Sequence, residues 1–464
     1  MKPYDFLVIG GGSAGYNAAR TAADLRLRVA VADGARKLGG LCILKGCMPS
    51  KTLLYAAEVL HRSQRGADFG LRIGKSRVNM PALHARKVRL IEDFASHRER
   101  QLTGGKFKLY RQKARFLDAH TVELGDGRRL QARHILIATG SKVSRPPVPG
   151  LDQIKYWTSD DVLELDRVPR SVVVLGCGVV ACELAQFLRR IGTRVVMIQR
   201  SKHVLRDHTP EAAAVVQKAF VDEGIELFLH SKIQSMRQDS AGIVVRFRHQ
   251  GRVIQRRADH CFNALGREAN LDGLNLEAAG IRVAPHEQIP VNRWQQTSAG
   301  HIYAAGDCSG PVEIVHVAIQ QGELAARHAA KVKHLKPIDY GLLLNVVFTE
   351  PALASIGRPE HELRQKGVPF LSASHSFNDH GKSMLMEAHS GFVKVLAEPK
   401  RGRILGAEIV GPDAGELIHC FSGPLAMRAT VFDLLRAPWY HPTLAEIITY
   451  PLEEIAARIG QRRS

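Results

Sequence analysis

The chain has 464 residues, of which 45% are hydrophobic and 24% are charged, and its formal net charge is +20. This length predicts two or three packed domains, and the apolar fraction excludes a disordered chain. Lysine and arginine are spread over the whole sequence without a basic tail, so we expect no nucleic-acid binding; steering of an anionic substrate, an acidic partner domain or a phosphorylated cofactor explains the charge at least as well.

The first residues, MKPYDFLVIGGG, run directly into an apolar strand and lack the pattern of a secretory signal. No apolar run approaches the ~20 residues that a membrane helix needs, so we expect a cytoplasmic protein without a membrane partner. In a reducing cytoplasm, a close pair among the seven cysteines is a candidate for catalysis or metal binding rather than for a structural disulfide. Two pairs are close, Cys42/Cys47 and Cys177/Cys182, and the second sits in a glycine loop where small side chains pack well.

The first predicted unit is a strand, a glycine loop and a helix. FLVIG reads as a buried strand, Gly10-x-Gly12-x-x-Gly15 follows it, and the helix runs to about Asp24. The first glycine permits a tight turn, the second lets backbone approach a pyrophosphate, and the third lets the helix pack on the strand. The next strand ends at Asp33, where a carboxylate can accept hydrogen bonds from ribose hydroxyls. This pattern predicts a dinucleotide site.

The segment GGLCILKGCMPSK places four residues between Cys42 and Cys47. On a straight helix five residues rise ~7.5 Å, which exceeds the ~6.8 Å upper limit for the Cα atoms of a disulfide. The pair can therefore close only if a helix starts there or is bent, and Gly46 offers that latitude. A zinc site needs further ligands, and no second Cys/His cluster of matching spacing follows, so we predict no metal site.

The segment between the two glycine loops mixes helices and strands. Apolar periodicity predicts helices near 53–67 and 81–103, and a β-rich stretch begins at Phe107 and closes with ILIATGS. A turn is expected at Gly125–Gly127. The prolines and glycine within 146–150 mark a linker.

A second strand, glycine loop and helix follow this linker. SVVVLGCGVVACELAQFLRRIG carries Gly176-x-Gly178-x-x-Ala181, with alanine as a tolerated third residue. The following strand ends in Gln199–Arg200 without a carboxylate, and an arginine there suits the 2′-phosphate of NADPH. We therefore expect NADPH in preference to NADH; the alternative is that Arg200 is only a solvated cation.

The remainder carries no nucleotide loop. A helix is expected over 316–332, a boundary at 334–337, and alternating strands and helices after it, which is typical of an interaction or dimerisation domain. The predicted fold is α/β, with two Rossmann-like dinucleotide-binding domains plus a C-terminal α+β dimerisation domain. The predicted domains are 1–150 with 272–337 for the first dinucleotide, 151–271 for the second, and 338–464 for dimerisation.

Five motifs in a fixed order resemble those of the pyridine nucleotide-disulfide oxidoreductases, the group of dihydrolipoamide dehydrogenase, glutathione reductase and mercuric reductase. GGLCILKGCMPSK resembles the redox-cysteine motif and ILIATGS a flavin-domain motif. NALGREAN resembles the segment that closes the nicotinamide domain, and TSAGHIYAAGD resembles the flavin motif that ends at Asp307. WYHPTLAEI resembles the C-terminal motif that supplies the catalytic base. The resemblance covers essentially the entire chain.

This resemblance implies an FAD-dependent NAD(P)H:disulfide oxidoreductase of EC 1.8.1 type that acts as a homodimer. Cys47 would face the flavin, and Cys42 would be the thiol that exchanges with substrate. His441, delivered from the second subunit, would be the acid/base, and Glu446 would orient it. An imidazole that can hold the proton of a thiol makes a thiolate at neutral pH, so the implied roles agree with the chemistry.

The resemblance also implies the residues that hold the cofactors, with Lys51 near the flavin ring and paired with Glu183. The implied FAD-binding residues are Gly10, Gly12, Ser13, Ala14, Gly15, Asp33, Gly40, Cys42, Lys51, Ala114, Thr139, Gly140, Ser141, Asp307 and His316. The implied NAD(P)-binding residues are Gly176, Gly178, Val179, Ala181, Glu183, Gln199, Arg200 and Gly266.

The motifs specify the type of reaction more closely than they specify the substrate. PSK and HPTLAE look closer to dihydrolipoamide dehydrogenase than to glutathione reductase, and the HPT motif argues against mercuric reductase. The substrate is then a small disulfide or dithiol, either free or on an acidic lipoyl domain. Trp439–Tyr440 replaces a His-Ala pair of the lipoamide enzymes. The alternatives are a glutathione reductase-like enzyme for another low-molecular-weight disulfide, and a metal-ion or quinone reductase with the same electron path.

Overall fold

Parallel strands carry both glycine loops in the computed structural model, which describes residues 2–284 and 287–461. The chain divides into two compact units. Unit 1 comprises Met1–Thr52, Pro81–Arg145 and Gly266–Ile338, and unit 2 comprises Leu53–Met80, Pro146–Leu265 and Asp339–Ser464. Among the described residues, no helix combines the length and the apolarity that crossing a membrane requires.

The α-helices are α1 (Ser13–Asp24), α2 (Gly40–Lys45), α3 (Cys47–Gln64), α4 (Met80–Thr103), α5 (Ser159–Leu163), α6 (Val179–Arg190), α7 (Pro210–Asp222), α8 (Val315–Ala329), α9 (Glu360–Gln365), α10 (Gly381–Leu385), α11 (Ala414–Leu417), α12 (Ser422–Ala426), α13 (Val431–Leu435) and α14 (Thr449–Gln461). Short 3-10 turns lie at Gly66–Phe69, Leu151–Gln153, Leu276–Ala279, Tyr340–Leu342, Phe377–Asp379, Ile418–Phe421 and Ala445–Ile448.

The strands are β1 (Tyr4–Ile9), β2 (Val29–Ala32), β3 (Lys108–Tyr110), β4 (Ala114–Phe116), β5 (Thr121–Leu124), β6 (Arg129–Ile137), β7 (Ser141–Val143), β8 (Ser171–Leu175), β9 (Arg194–Ile198), β10 (Glu226–Phe228), β11 (Ser231–Asp239), β12 (Gly242–His249), β13 (Arg252–Ala258), β14 (His260–Asn263), β15 (Arg267–Ala269), β16 (Ile302–Ala304), β17 (Leu344–Val347), β18 (Ala352–Gly357), β19 (Leu371–Ser376), β20 (Phe392–Ala397) and β21 (Ile404–Gly411).

Unit 1 is built on a sheet in the order β3-β2-β1-β6-β5-β4, with β16 paired to β6. Strand β1 lies parallel to β2 and β6, and its residues alternate between two hydrophobic clusters. Phe6 and Val8 pack into one cluster, and Leu7 and Ile9 pack into the other. Both faces of the sheet are therefore buried, which explains why β1 reads as a continuous apolar run.

Unit 2 contains a parallel sheet, β10-β9-β8-β14, and an antiparallel sheet, β11-β12-β13. A separate antiparallel sheet in the order β17-β18-β21-β20-β19 forms the C-terminal part, and its core includes residues of α13 and α14. The predicted α/β class, with two dinucleotide-binding folds and a C-terminal α+β part, is confirmed.

Helix bounds match the predictions where apolar periodicity is long. The helix predicted over 81–103 is α4, and the helix predicted over 316–332 is α8, which ends three residues earlier at Ala329. The helix predicted from about residue 53 begins earlier, at Cys47. The reason is that Pro49 falls in the first turn, where its missing N–H costs no intrahelical hydrogen bond, so the chain is helical through Cys-Met-Pro-Ser.

Glycine allows α1 to lie against two neighbours. A Cβ on Gly15 would lie 1.8 Å from the carbonyl oxygen of Gly10, and Gly10 itself has a φ of +102°. On the other side, a Cβ on Gly322 of α8 would lie 2.3 Å from the carbonyl oxygen of Ala14. The first turn of α1 is therefore held by direct backbone contact on both sides.

Replacing Gly322 by alanine should destabilise unit 1. Alanine favours a helix by about 1 kcal/mol over glycine, but the clash with the backbone of Ala14 costs about 1–3 kcal/mol because neither atom belongs to a flexible side chain. We expect the Tm of G322A to fall by several degrees, as measured by thermal unfolding.

The control is Gly460→Ala in α14, where an added Cβ meets nothing within 4 Å. This substitution should leave the Tm unchanged or raise it slightly. If G322A and G460A raise the Tm equally, the close approach of α8 to α1 is not a packing constraint.

Candidate active site

Cys42 and Cys47 lie on either side of a helix break. Helix α2 ends at Gly46, whose backbone angles (φ −133°, ψ −119°) are not helical, and α3 begins at Cys47. Neither cysteine is in a disulfide, and both side chains are half-buried. The Cys42 thiol is hydrogen-bonded to Cys47. The predicted interruption of the helix between these cysteines is confirmed.

Arg98 of α4 provides a positive charge near this pair. The hydrogen bond to Cys47, followed by burial, raises the pKa of the Cys42 thiol, whereas the charge of Arg98 lowers it. The guanidinium lies over the ring of Tyr16 at 4.2 Å, and its Nε donates to Gln101 Oε1 at 3.1 Å. Its Nη1 is buried without a hydrogen-bond partner in the described part of the chain. Arg98 therefore favours the thiolate of Cys42.

No sequence pattern indicated Arg98. It lies in the C-terminal part of a helix rich in charged residues, where an arginine ordinarily faces solvent. Only the packing of α4 within unit 1 brings its charge to Cys42.

The first glycine loop is closed by Asp33. The backbone N–H of Gly11 donates to Asp33 Oδ2 at 2.8 Å, and Oδ1 accepts from the N–H of Ala35 at 2.8 Å. Gly12 is the N-cap of α1 and provides no side-chain cap. A Cβ on Gly40 would lie 2.6 Å from Gly12 Cα. The start of α1 is thus an uncapped helix N-terminus in a loop of bare backbone, which suits a pyrophosphate.

A second polar cluster in unit 1 lies at Asp307. Ser141 Oγ donates to Asp307 Oδ2 at 2.6 Å and accepts from Arg267 Nε at 2.8 Å. Thr139 Oγ1 is buried and has no hydrogen-bond partner among the residues described. A buried hydroxyl without a partner is costly unless a bound polar group satisfies it. These residues fit the ribityl and phosphate groups of FAD.

All the predicted FAD-binding residues lie in unit 1. Their local positions follow from the elements: Ser13, Ala14 and Gly15 are in the first turn of α1, Gly40 begins α2, Lys51 is in α3, Ala114 begins β4, Gly140 follows β6, and His316 is in the first turn of α8. His316 is exposed and Lys51 is half-buried.

The second glycine loop repeats the construction of the first. Gly176 has a φ of +97°, and a Cβ there would lie 2.7 Å from the carbonyl oxygen of Ala264. Gly178 is the N-cap of α6 without a side-chain cap, and Val179 after it is 42% exposed. A Cβ on Gly178 would meet nothing within 4 Å, so the N-terminus of α6 opens to solvent.

The other predicted NAD(P) residues are spread over this region. Ala181 and Glu183 are buried in α6, and Glu183 Oε1 accepts from the N–H of Phe348 at 2.9 Å. Gln199 Oε1 accepts from the N–H of Arg200 at 3.1 Å, and the Arg200 side chain is exposed. Gly266 lies in unit 1 with a φ of +126°. Lys51 and Glu183 lie in different units, so their pairing stays a prediction.

His441 and Glu446 form the predicted contact within unit 2. His441 Nδ1 lies 3.0 Å from Oε1 and 3.1 Å from Oε2 of Glu446. The imidazole is 78% exposed, whereas the Glu446 side chain is only 12% exposed. A buried carboxylate that accepts from Nδ1 leaves Nε2 of an exposed imidazole to exchange protons, which is the geometry of an acid/base group.

A second histidine faces the same carboxylate. His380 is 1% exposed, and its Nε2 lies 3.5 Å from Glu446 Oε1. Sequence patterns did not indicate this residue, because neither its spacing nor its neighbours resemble a motif. Among the described residues, no group of three histidine, cysteine or acidic side chains is arranged to hold a metal ion.

The chain matches two family models. Residues 4–322 match the pyridine nucleotide-disulphide oxidoreductase model, and residues 344–451 match the dimerisation-domain model of the same oxidoreductases. Among solved structures, LpdA from Mycobacterium tuberculosis is similar, with a TM-score of 0.87, 28% identity, and coverage of 97% of this chain and 99% of that one.

Two kinds of enzyme occur among the similar proteins. A mercuric reductase of Lysinibacillus sphaericus is 32% identical over 96% of this chain and 81% of that protein. A dihydrolipoyl dehydrogenase of Bacillus subtilis is 30% identical over 96% of each. Because the two identities are nearly equal, similarity alone does not separate these activities, and the argument from the HPT motif stays a prediction.

Removing the charge of Arg98 should make Cys42 less reactive. Because Arg98 lowers the pKa of this thiol, Arg98→Gln leaves a smaller thiolate fraction at neutral pH. We expect alkylation of Cys42 by iodoacetamide at pH 7–8 to slow roughly two- to ten-fold, because the thiolate is the form that reacts. Peptide mass spectrometry of the reduced protein measures labelling at Cys42 alone.

Two variants control this experiment. Arg98→Lys keeps the charge and should retain most of the reactivity, whereas Arg100→Gln removes an exposed charge from the same helix and should change nothing. Equal labelling rates in R98Q and R100Q would show that Arg98 does not act on the thiol.

Proposed function

This chain belongs to the pyridine nucleotide-disulphide oxidoreductase family, and we propose that it exchanges electrons with a small disulfide or dithiol in the manner of dihydrolipoamide dehydrogenase. It is an FAD-dependent oxidoreductase that uses NAD(P)H and carries a dimerisation domain. The predicted family, fold, enzyme class and cofactors are confirmed. The substrate, the coenzyme preference and the residue roles are the subject of the proposal.

The observation that carries the proposal is the hydrogen-bonded Cys42–Cys47 pair with the charge of Arg98 near it. In the reductive direction, the Cys42 thiolate attacks one sulfur of the substrate disulfide. A mixed disulfide forms, and the first substrate thiolate leaves. Cys47 then attacks Cys42, which releases the second thiolate and leaves a Cys42–Cys47 disulfide. Two electrons have passed from the pair to the substrate.

His441 is the acid/base of this exchange. Glu446 holds Nδ1, so Nε2 can give a proton to a leaving thiolate and take one back in the reverse direction. The 78% exposure of the imidazole in one chain suits a group that serves the cysteines of a second subunit. The homodimer is therefore part of the proposed mechanism.

FAD, when bound, passes electrons between the nicotinamide and the cysteine pair. In our proposal, residues 1–150 and 272–337 hold it. The uncapped start of α1 binds its pyrophosphate, and Asp33 orders the glycine loop and the ribose. Thr139 and Asp307 satisfy polar groups of the ribityl chain. Residues 151–271 bind the nicotinamide nucleotide, and residues 338–464 form the dimer interface.

Arg200 supports a preference for NADPH. It follows the last residues of β9, where an NAD-specific enzyme carries an acid, and its guanidinium is exposed. A cation at this position attracts the 2′-phosphate, and the uncharged Gln199 does not repel the phosphate as a carboxylate would.

The proposed substrate is a lipoyl disulfide, free or on an acidic lipoyl domain that the +20 charge would attract. A low-molecular-weight disulfide other than lipoamide fits the same cysteine chemistry. Similarity to a mercuric reductase favours, as the second candidate, reduction of a metal ion along the same electron path. A dithiol mechanism operates in a reducing compartment, so the proposal includes a cytoplasmic location.

Substitution of Cys42 tests the central proposal. We expect purified enzyme to turn over lipoamide with a nicotinamide, and Cys42→Ser to reduce that rate by roughly a thousand-fold or more, because serine cannot form the mixed disulfide. Oxidised glutathione and mercuric ion, each with NADH and with NADPH, complete the steady-state assay.

Cys420→Ser removes another half-buried thiol and should leave turnover unchanged. His441→Gln separates the candidates, because disulfide exchange needs the proton and should slow, whereas metal-ion or quinone reduction should continue. If nicotinamide reduces the flavin but no disulfide reacts, electron transfer from nicotinamide to flavin is supported and the disulfide proposal is wrong.

Replacement of Arg200 tests the coenzyme preference. Arg200→Gln should weaken NADPH binding roughly ten-fold, the size expected for one lost hydrogen bond to a phosphate, and leave NADH nearly unaffected. Titration calorimetry with NADP+ and NAD+ measures this directly. Arg252→Gln, an exposed arginine at the start of β13, is the matched control. An unchanged NADP+ affinity in R200Q would make Arg200 a solvated cation.

A further inference from the structure

The carboxylate of Glu446 has a second imidazole beside it, on its buried side. His380 is 1% exposed, and its Nε2 lies 3.5 Å from Glu446 Oε1. This nitrogen is buried and has no hydrogen-bond partner in the described part of the chain. The separation is longer than an ordinary hydrogen bond, but Glu446 is the carboxylate that faces it.

The hydrogen bond at the other ring nitrogen determines which tautomer of His380 is favoured. His380 Nδ1 lies 2.8 Å from the hydroxyl oxygen of Ser383, which is fully buried in α10. When that hydroxyl donates to Nδ1, the ring proton is on Nε2 and points at Glu446. In the opposite tautomer a lone pair would face the carboxylate and be repelled. The Nε2–H form is therefore favoured.

The surroundings of His380 lower its pKa on balance. Burial lowers the pKa of His380, and the charges of His375 and His441 lower it further, while Glu446 opposes them. Its ring also meets the edge of Tyr450, with 6.3 Å between the centroids. Burial therefore favours the neutral imidazole, whose N–H presents an oriented dipole to Glu446.

We propose that His380 is a positioning residue of the acid/base pair, holding the carboxylate of Glu446 against His441 from the buried side. The inference rests on the proposed role of His441 in disulfide exchange. Without His380, the buried side of Glu446 has one polar contact fewer, and the carboxylate can rotate away from Nδ1 of His441. Protonation of a leaving thiolate is the step that then suffers.

The test compares two disulfides that differ in their need for a proton. An alkyl disulfide such as lipoamide releases a basic thiolate that His441 must protonate, whereas dithiobis(nitrobenzoate) releases a weakly basic thiolate that leaves unaided. Enzyme reduced by nicotinamide is mixed with either disulfide, and reoxidation of the flavin is followed by stopped-flow absorbance.

We expect His380→Leu to slow reoxidation by lipoamide roughly ten-fold, the effect typical of a residue that orients a functional group. Reoxidation by dithiobis(nitrobenzoate) should stay within two-fold of wild type, roughly the noise of such a comparison. His380→Gln keeps an N–H near the position of Nε2 and should restore most of the lipoamide rate. His389→Gln removes a histidine paired with another carboxylate, Glu387, and should change neither rate.

Each result decides the question. If H380L slows both disulfides equally and H380Q does not restore either, His380 only supports the fold. If H380L reacts with lipoamide as fast as wild type, His380 does not position Glu446. If wild-type enzyme reacts with no alkyl disulfide, including oxidised glutathione, the proposed function fails and this inference fails with it.

Discussion

The five-residue spacing of Cys42 and Cys47 is the constraint on which the redox site depends. An unbroken helix would keep their Cα atoms at least ~7.5 Å apart, beyond the reach of a disulfide. The break at Gly46 divides the segment into α2 and α3, and the two thiols come within hydrogen-bonding distance. It also puts Cys47 at the first position of α3, where the helix N-terminus favours negative charge. One glycine therefore sets both the geometry and part of the electrostatics.

The two nucleotide loops follow a related rule, because backbone rather than side chains forms each of them. A Cβ on Gly10 would lie 2.4 Å from the carbonyl oxygen of Ala138, and a Cβ on Gly176 would lie 2.7 Å from that of Ala264. Neither α1 nor α6 has a side-chain N-cap. Open helix N-termini at the ends of parallel strands are what a phosphate group requires. The two loops differ in an acidic residue. Asp33 closes the first loop, whereas no carboxylate stands at the end of β9, the strand that follows the second loop.

The fold could be predicted from the sequence because it depends on local, repeated signals. Glycine spacing after an apolar run specified both parallel sheets, and long amphipathic periods specified α4 and α8 to within a few residues. The start of α3 was missed because the prediction followed the apolar periodicity from residue 53, whereas a first helical turn also accepts Pro49. Motifs also contained the cysteine pair and the His441–Glu446 contact, since in each case both partners lie within a few residues of one another.

Arg98 and His380 could not be predicted for the opposite reason. Each acts on a residue more than fifty positions away, and only tertiary packing brings them together. A single arginine on a charged helix, or a single histidine after a short strand, has no spacing that distinguishes it from a structural residue. Long-range contacts of this kind adjust the charge around a motif without belonging to it, so the motif itself carries no sign of them.

The charge of Arg98 and the His441–Glu446 contact act on opposite ends of one reaction. Disulfide exchange begins with negative charge on the attacking sulfur and ends with negative charge on the leaving sulfur. Arg98 favours the first state, because its cation stabilises the Cys42 thiolate. The His441–Glu446 contact serves the second state, because the carboxylate orients the imidazole that gives a proton to the leaving sulfur. A carboxylate beside Cys42 would suppress the attack, because it would disfavour the thiolate. Arg98 belongs to unit 1 and the His441–Glu446 contact belongs to unit 2, so a different part of the chain supplies each of these two charges.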